Sequence, residues 1–166
     1  MSTLIHFPTI GGAKTNPAGL ASQPTSGRTL GRVFIAEDQD VELRAYSHTL
    51  RIAGWTVIGT PDGLRARDML FAPKEPIDIA LIDNKIPHLY GIDIVTALRK
   101  AGIRIPVVIM SSAVNYDLTT RAQGVGVAAV LNKPLALSGL STCLEKIVAA
   151  DRAAKAREQA EQQRKA

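Results

Sequence analysis

The chain alternates short apolar runs with longer segments of helical periodicity from residue 31 to residue 150. The apolar runs have the length of β-strands and cover residues 32–36, 56–60, 77–83, 106–111 and 127–131. The segments with apolar residues at helical spacing cover residues 40–54, 63–72, 92–102, 116–124 and the chain from about residue 135. In the first of these segments the pattern runs through Val41, Leu43, Tyr46, Leu50 and Ile52. This repeated order predicts an α/β domain, in which helices cover both faces of a parallel five-stranded sheet.

Polar residues stand at the ends of four of the predicted strands. They are Glu37 and Asp38 after the first strand, Asp83 at the end of the third, Ser111 and Ser112 at the end of the fourth, and Lys133 after the fifth. The carboxyl ends of the strands in an open parallel sheet form one edge, and ligands bind at that edge. The sequence therefore predicts a site that gathers three carboxylates, a hydroxyl and an ammonium group.

These groups are the ones that an acyl phosphate requires. Three carboxylates at close range repel one another, and Mg²⁺ relieves this because it prefers oxygen ligands and accepts phosphate in its shell. A carboxylate is also a nucleophile toward phosphorus. We expect Asp83 to attack, while Asp38 holds the metal and Glu37 assists through water. Lys133 would pair with the phosphoryl oxygens, and Ser111 would form a hydrogen bond to the phosphoryl group.

Over about residues 32–150 the sequence resembles the receiver domain of two-component response regulators, of the chemotaxis type. The resemblance rests on the acid pair in FIAEDQD, on LIDNKIPHLYG with proline four and glycine eight residues after the acid, on the hydroxyl in PVVIMSS, and on LNKP. It implies a flavodoxin-like, doubly wound sheet with strand order 2-1-3-4-5. It also implies that Asp83 is the phosphoacceptor, that the backbone carbonyl of Lys85 is a metal ligand, and that the bond before Pro134 is cis.

Some positions differ from the usual receiver pattern. Many receivers have an aromatic residue three positions before the lysine, where this chain has Val130, so we expect any conformational relay to use other side chains. Two serines compete for the hydroxyl position, and Ser111 is favoured over Ser112 because it lies five residues after Pro106, which is the usual spacing. Lys85 places a long cation beside the site, and we hypothesise that it alters the lifetime of the phosphoryl group.

The resemblance implies a stand-alone response regulator of a two-component or phosphorelay system. Its phosphoryl group would come from a histidine kinase or a histidine phosphotransfer protein. It would then act on an unknown downstream protein or pass the group to another histidine, and it would catalyse only its own phosphoryl transfer and dephosphorylation. Two alternatives are a receiver-like scaffold that is never phosphorylated and an aspartyl-phosphate phosphatase of the haloacid-dehalogenase type. That phosphatase family has a second acid where this chain has Lys85, and it usually has a cap domain.

The two ends of the chain differ in composition from the predicted domain at residues 31–150. Residues 1–30 are rich in Gly, Pro, Ser and Thr, which predicts a flexible arm. Residues 151–166 are charged and rich in alanine, which predicts a helical extension. This extension is either a projecting helix that contacts a second copy or a partner, or a frayed and solvated tail. The fourth and fifth helices offer a second surface for a homodimer.

Charge and composition indicate the partners and the compartment. The formal net charge is +5, but residues 1–31 and 151–166 each carry an excess of two bases, so we expect no direct binding of nucleic acid. A single cysteine rules out an intrachain disulfide and suits a reducing compartment. No apolar run approaches the ~20 residues of a membrane span, and the start of the chain does not resemble a secretory signal. These features predict a protein without membrane contact. The resemblance to receiver domains, through its histidine kinase partner, implies a cytoplasmic location.

Overall fold

The computed structural model describes residues 29–165 of the 166-residue chain. The flexible arm predicted for residues 1–30 therefore lies almost entirely outside the described residues. The strands are β1 (Gly31–Ala36), β2 (Trp55–Thr60), β3 (Ile79–Asp83), β4 (Lys85–Ile86), β5 (Leu89–Tyr90), β6 (Val107–Ser111) and β7 (Ala129–Asn132). The helices are α1 (Asp40–Ile52), α2 (Gly63–Phe71), α3 (Gly91–Lys100), α4 (Tyr116–Gly124) and α5 (Leu137–Lys165).

One parallel sheet carries the site. Its strand order is β2-β1-β3-β6-β7, which is the predicted order 2-1-3-4-5 when only these five strands are numbered along the chain. In the register of the central strands, Ala36 lies beside Ile82 and Asp83 lies beside Met110. The carboxyl ends of β1 and β3 therefore reach the same edge. The prediction of a flavodoxin-like, five-stranded α/β fold is confirmed.

Each face of the sheet has its own apolar core. Helices α2, α3 and α4 bury residues against one face, together with Phe34 and Ile82 of the sheet. Helices α1 and α5 bury residues against the other face, together with Ile35 and Leu81. Strands β3 and β6 are buried along their whole length, because helices cover them on both sides. This explains why their sequences are apolar at consecutive positions rather than at alternating ones.

Helix α1 buries a narrower stripe than the sequence pattern predicts. Tyr46 and Leu50 are buried, whereas Val41 and Ile52 are 75% and 70% exposed. At 3.6 residues per turn, these two side chains project from the side of the helix roughly opposite Leu50. Their assignment to the helical apolar pattern is therefore wrong, although the helix itself is correct.

A short hairpin between β3 and α3 is absent from the sequence-based prediction. Its strands β4 and β5 are antiparallel, with Lys85 opposite Tyr90 and Ile86 opposite Leu89. The turn between them contains His88 at a φ of 71°. Strands of two residues are too short to give a periodic signal. The hairpin forms one wall of the cavity at the carboxyl edge of the sheet.

Helix α5 is continuous over 29 residues. Its first half is anchored by the buried side chains of Leu140, Leu144, Ile147 and Val148. Beyond these, residues 152–165 are exposed. The Arg152 guanidinium lies 2.7 Å from the carboxylate of Asp78, which ties the helix to the loop before β3. Among residues 29–165, no helix is both long enough and apolar enough to cross a membrane.

The orientation of α1 predicts unequal costs for two similar truncations. Leu50→Ala should lower the free energy of unfolding by about 2–5 kcal/mol, because it opens a cavity in a fully buried position. Ile52→Ala removes as many carbon atoms from an exposed position and should change this free energy by less than about 0.5 kcal/mol. Urea denaturation of the two variants measures the difference. Equal losses would show that the packing of α1 on the sheet is incorrectly described.

Candidate functional site

Three acidic side chains gather at the carboxyl edge of the sheet. Glu37 follows β1 and is fully buried, Asp38 is exposed, and Asp83 is buried at the end of β3. Each offers a carboxylate oxygen, and these oxygens all lie within 4.8 Å of one another. The predicted convergence of the three acids is present. An all-oxygen donor set of this size suits a hard divalent cation.

Lys133 lies at the centre of this acid cluster. Its Nζ donates hydrogen bonds to Glu37 Oε2 at 2.8 Å and to Asp83 Oδ2 at 2.7 Å. A third carboxylate oxygen, Oε2 of Glu42, lies 2.6 Å from the same nitrogen. The Lys133 side chain is only 8% exposed. The backbone also fixes its position, since the Lys133 N–H donates to the carbonyl of Ser111 on β6.

Burial and charge oppose each other in the pKa values of this cluster. Burial alone would lower the pKa of Lys133, but its contacts with Asp83, Glu37 and Glu42 outweigh burial and raise it. Burial raises the pKa of Glu37 above its ordinary value of 4.5, although the hydrogen bond from Lys133 opposes this. Burial also acts to raise the pKa of Glu42, but the bonds from Lys133 and Tyr46 outweigh it and lower that pKa. Lys133 is therefore a permanent cation at neutral pH.

The backbone around Asp83 is built to hold its carboxylate in place. Asp83 Oδ1 accepts a hydrogen bond of 2.8 Å from the backbone N–H of Lys85. A Cβ at Gly91 would lie 2.6 Å from the carbonyl oxygen of Asp83, which is closer than real contacts allow. The Gly91 N–H instead donates to the carbonyl of Asn84 at 2.9 Å. This close approach explains why glycine follows the acid at a distance of eight residues.

Glu42 and Tyr46 of helix α1 belong to the site but were not predicted from the sequence. The Tyr46 hydroxyl donates to Glu42 Oε2 at 3.0 Å, and this oxygen is also the one nearest Lys133. Glu42 and Tyr46 stand four residues apart on α1, which is about one helical turn. That spacing was the available signal, but a single sequence does not reveal which side of α1 faces the acids.

The two serines occupy different positions. The buried Ser111 hydroxyl accepts a hydrogen bond of 3.1 Å from the Ala113 N–H, so it closes the turn after β6. Ser112 is exposed and lines the cavity beside Asp83. Which serine contacts a phosphoryl group stays a prediction. The assignment of the Lys85 backbone carbonyl as a metal ligand also stays a prediction.

The bond before Pro134 is cis, as expected. Many receivers have an aromatic residue at the position of Val130. In this structure, Val130 packs against the core between the sheet and helices α2, α3 and α4.

Comparisons with known proteins identify one family. Residues 33–145 match the sequence profile described as "Response regulator receiver domain". "Transcriptional regulatory protein PrrA" of Mycobacterium tuberculosis is 30% identical over 115 residues, which are 69% of this chain and 48% of that protein. "Two-component response regulator-like APRR5" of Arabidopsis thaliana is 30% identical over 106 residues, which are 63% of this chain and 19% of that protein. The matched region therefore spans less than half of the length of each of these two relatives.

Solved structures share the fold at lower sequence identity. A CheY-like response regulator receiver domain protein from Methanospirillum hungatei JF-1 has a TM-score of 0.69 and 17% identity, covering 75% of this chain and 98% of that chain. The signal receiver domain of a putative Luxo repressor protein from Vibrio parahaemolyticus has a TM-score of 0.70 and 20% identity, covering 77% and 97%. These similarities support the fold described above.

The acid cluster predicts a large cost for removing its central cation. Lys133→Met should lower the free energy of unfolding by roughly 3 kcal/mol in buffer with EDTA, because it leaves buried carboxylates without their partner. The matched control is Lys146→Met, at an exposed position of α5, which should change stability by less than about 0.5 kcal/mol. Urea denaturation at neutral pH compares the two. A loss in Lys133→Met no larger than the control's would contradict the central role of the ammonium.

Proposed function

This chain belongs to the response regulator receiver family, and from that membership we infer that Asp83 accepts a phosphoryl group in a two-component or phosphorelay system. The observation that carries this proposal is the position of Asp83: its carboxylate is held at the tip of a buried strand and contacts Lys133 at 2.7 Å. Glu37 and Asp38 stand beside it. The proposed donor is a phosphohistidine of a histidine kinase or a histidine phosphotransfer protein.

The proposed transfer needs a nucleophile and compensation of charge. A carboxylate oxygen of Asp83 forms a new P–O bond while the P–N bond of the phosphohistidine breaks, and the electron pair of the broken bond returns to the imidazole. Lys133 would neutralise negative charge on the phosphoryl oxygens. A serine after β6 would donate a hydrogen bond to the same group. The protein would later catalyse the hydrolysis of its own aspartyl phosphate, with water as the only other reactant.

The acid cluster fits the magnesium ion that the family uses. Glu37, Asp38 and Asp83 would hold it, together with the backbone carbonyl of Lys85, because all of these offer the oxygen atoms that Mg²⁺ prefers. When bound, the ion supplies positive charge beside the phosphoryl oxygens. The buried Glu37 would act through a water molecule, as an outer ligand.

The proposed output is a change in protein contacts rather than a chemical product. A phosphoryl group adds charge and acceptor atoms at the carboxyl edge, and this shifts an equilibrium between two conformations. Tyr116 at the start of α4 is 87% exposed, and its neighbour Val114 is also exposed, so this end of α4 suits a downstream protein target. Residues 31–150 would be the receiver domain. Residues 151–166 would contact a partner or a second copy, in a cytoplasmic setting.

Phosphorylation from acetyl phosphate tests the proposal. We expect the wild-type protein to gain one phosphoryl group in the presence of Mg²⁺ and to gain none with EDTA, because the carboxylates repel an anionic donor. Asp83→Asn should gain none under either condition. Asp117→Asn, which removes an exposed carboxylate on α4, should behave as the wild type does. Intact mass spectrometry measures the gain.

The outcome separates the proposed function from its alternative. If folded wild-type protein gains no phosphoryl group with Mg²⁺ present, the result favours the alternative, a scaffold that is never phosphorylated. In that case, the site at Asp83 holds the edge of the sheet together without taking part in phosphoryl transfer.

Magnesium should also stabilise the fold. Mg²⁺ at about 100 times its dissociation constant should raise the free energy of unfolding by about 2.7 kcal/mol, because it binds the folded acid cluster selectively. Asp38→Asn should lose most of this gain. Asp40→Asn removes the next exposed acid along the chain, which pairs with Arg44 instead, and it should keep the gain. Thermal unfolding with MgCl₂, against NaCl of equal ionic strength, measures this. A full gain in Asp38→Asn would exclude Asp38 as a ligand.

A further inference from the structure

Lys133 has more carboxylate partners than it can keep during phosphoryl transfer. An ammonium group has three N–H donors. Three carboxylates, those of Glu37, Glu42 and Asp83, lie 2.6–2.8 Å from Nζ. A phosphoryl oxygen can therefore reach Lys133 closely only if one of these carboxylates moves away.

The three partners differ in how easily they can be released. Glu37 is fully buried and has no access to water in exchange for the lysine, so its release would be costly. Asp83 is itself the proposed nucleophile and stays beside the phosphoryl group. Glu42 is 32% exposed at its side chain, lines the cavity in front of Asp83, and contacts Lys133 as an ion pair. Of the three carboxylates, that of Glu42 can therefore exchange Lys133 for water at the lowest cost in free energy.

We propose that Glu42 is a positioning residue that holds Lys133 in the unphosphorylated protein, and that the incoming phosphoryl group displaces Glu42 from Nζ. This inference rests on the proposed phosphorylation of Asp83. In the unphosphorylated state the carboxylate of Glu42 occupies the place that a phosphoryl oxygen takes later. Because this contact exists in the ground state and is lost during transfer, it slows phosphorylation.

The displacement also gives the site a connection to helix α1. The oxygen of Glu42 that contacts Lys133 accepts the hydrogen bond from the Tyr46 hydroxyl. Tyr46 is buried in the core between the sheet and helices α1 and α5. When Glu42 is displaced from Lys133, the charge on Glu42 is no longer balanced, and its bond to Tyr46 changes. This route begins on α1, and it does not require an aromatic ring at Val130.

The rate of phosphorylation by acetyl phosphate with Mg²⁺, followed by intact mass, tests this displacement. Glu42→Gln should be phosphorylated roughly fivefold faster than the wild type, which corresponds to the loss of an ion pair of about 1 kcal/mol. Asp40→Asn removes the same charge two residues away, where the acid pairs with Arg44, and its rate should stay within about twofold of the wild type.

The outcomes of this experiment separate the role of Glu42 from the proposed phosphorylation of Asp83. An unchanged or slower rate in Glu42→Gln, with normal phosphorylation of the wild type, overturns the role of Glu42 and leaves the proposed function standing. An equal acceleration in Asp40→Asn also overturns that role, because it assigns the effect to net charge. If the wild type gains no phosphoryl group at all, the proposed function fails and this inference fails with it.

A second measurement reads the displacement directly. The chain has three tyrosines, so labelling with ¹³C at Cζ gives three NMR signals, and Tyr46→Phe identifies one of them. In the wild type, the Tyr46 signal should shift on phosphorylation. In Glu42→Gln this shift should fall to less than half, although both proteins carry the phosphoryl group. Equal shifts in the two proteins would show that Tyr46 responds by another route.

Discussion

One ammonium group holds three distant parts of the chain together at the carboxyl edge of the sheet. Lys133 follows β7, and its carboxylate partners follow β1, end β3 and lie on α1. The strand order places β1 directly beside β3, so the acids at their ends are brought together by the same topology that forms the core. Like charges at this distance require a cation. Lys133 supplies this positive charge in the described structure. The same need for positive charge also makes this edge suitable for binding a metal ion.

The two apolar cores and the charged edge have different roles. Strands β3 and β6 are covered on both sides, so the backbone that carries Asp83 has little freedom. The edge residues, by contrast, are joined by hydrogen bonds and ion pairs, and one of these residues, Glu42, is partly exposed at the cavity. Gly63 reinforces this division, since a Cβ there would lie 2.6 Å from the carbonyl of Pro87, and the hairpin is therefore seated tightly on α2. The contacts at the edge therefore rest on a rigid support.

The sequence predicts the sheet and the main acids because both depend on patterns that are local in the chain. Asp83 was identified as the residue that ends a continuous apolar run, and Lys133 by its place after the last strand. Glu42 was missed because its role depends on the rotation of α1, and the apolar pattern that included Val41 and Ile52 pointed to the wrong stripe. The choice between Ser111 and Ser112 follows the same logic. Ser111 is the last residue of β6 and Ser112 lies in the loop that follows, and the spacing from Pro106 alone does not show which one turns toward Asp83.

Helix α5 sets the distance between the carboxyl edge of the sheet and residue 165. It begins just after Lys133, and Arg152 contacts Asp78 at the opposite end of the sheet. At 1.5 Å per residue, its 29 residues extend roughly 43 Å, about twice the length of a typical strand. Its last turns therefore stand clear of the globular body, on the side away from Asp83. A fluorescent protein attached there would leave the carboxyl edge of the sheet unobstructed, because the helix would act as a rigid spacer between the two.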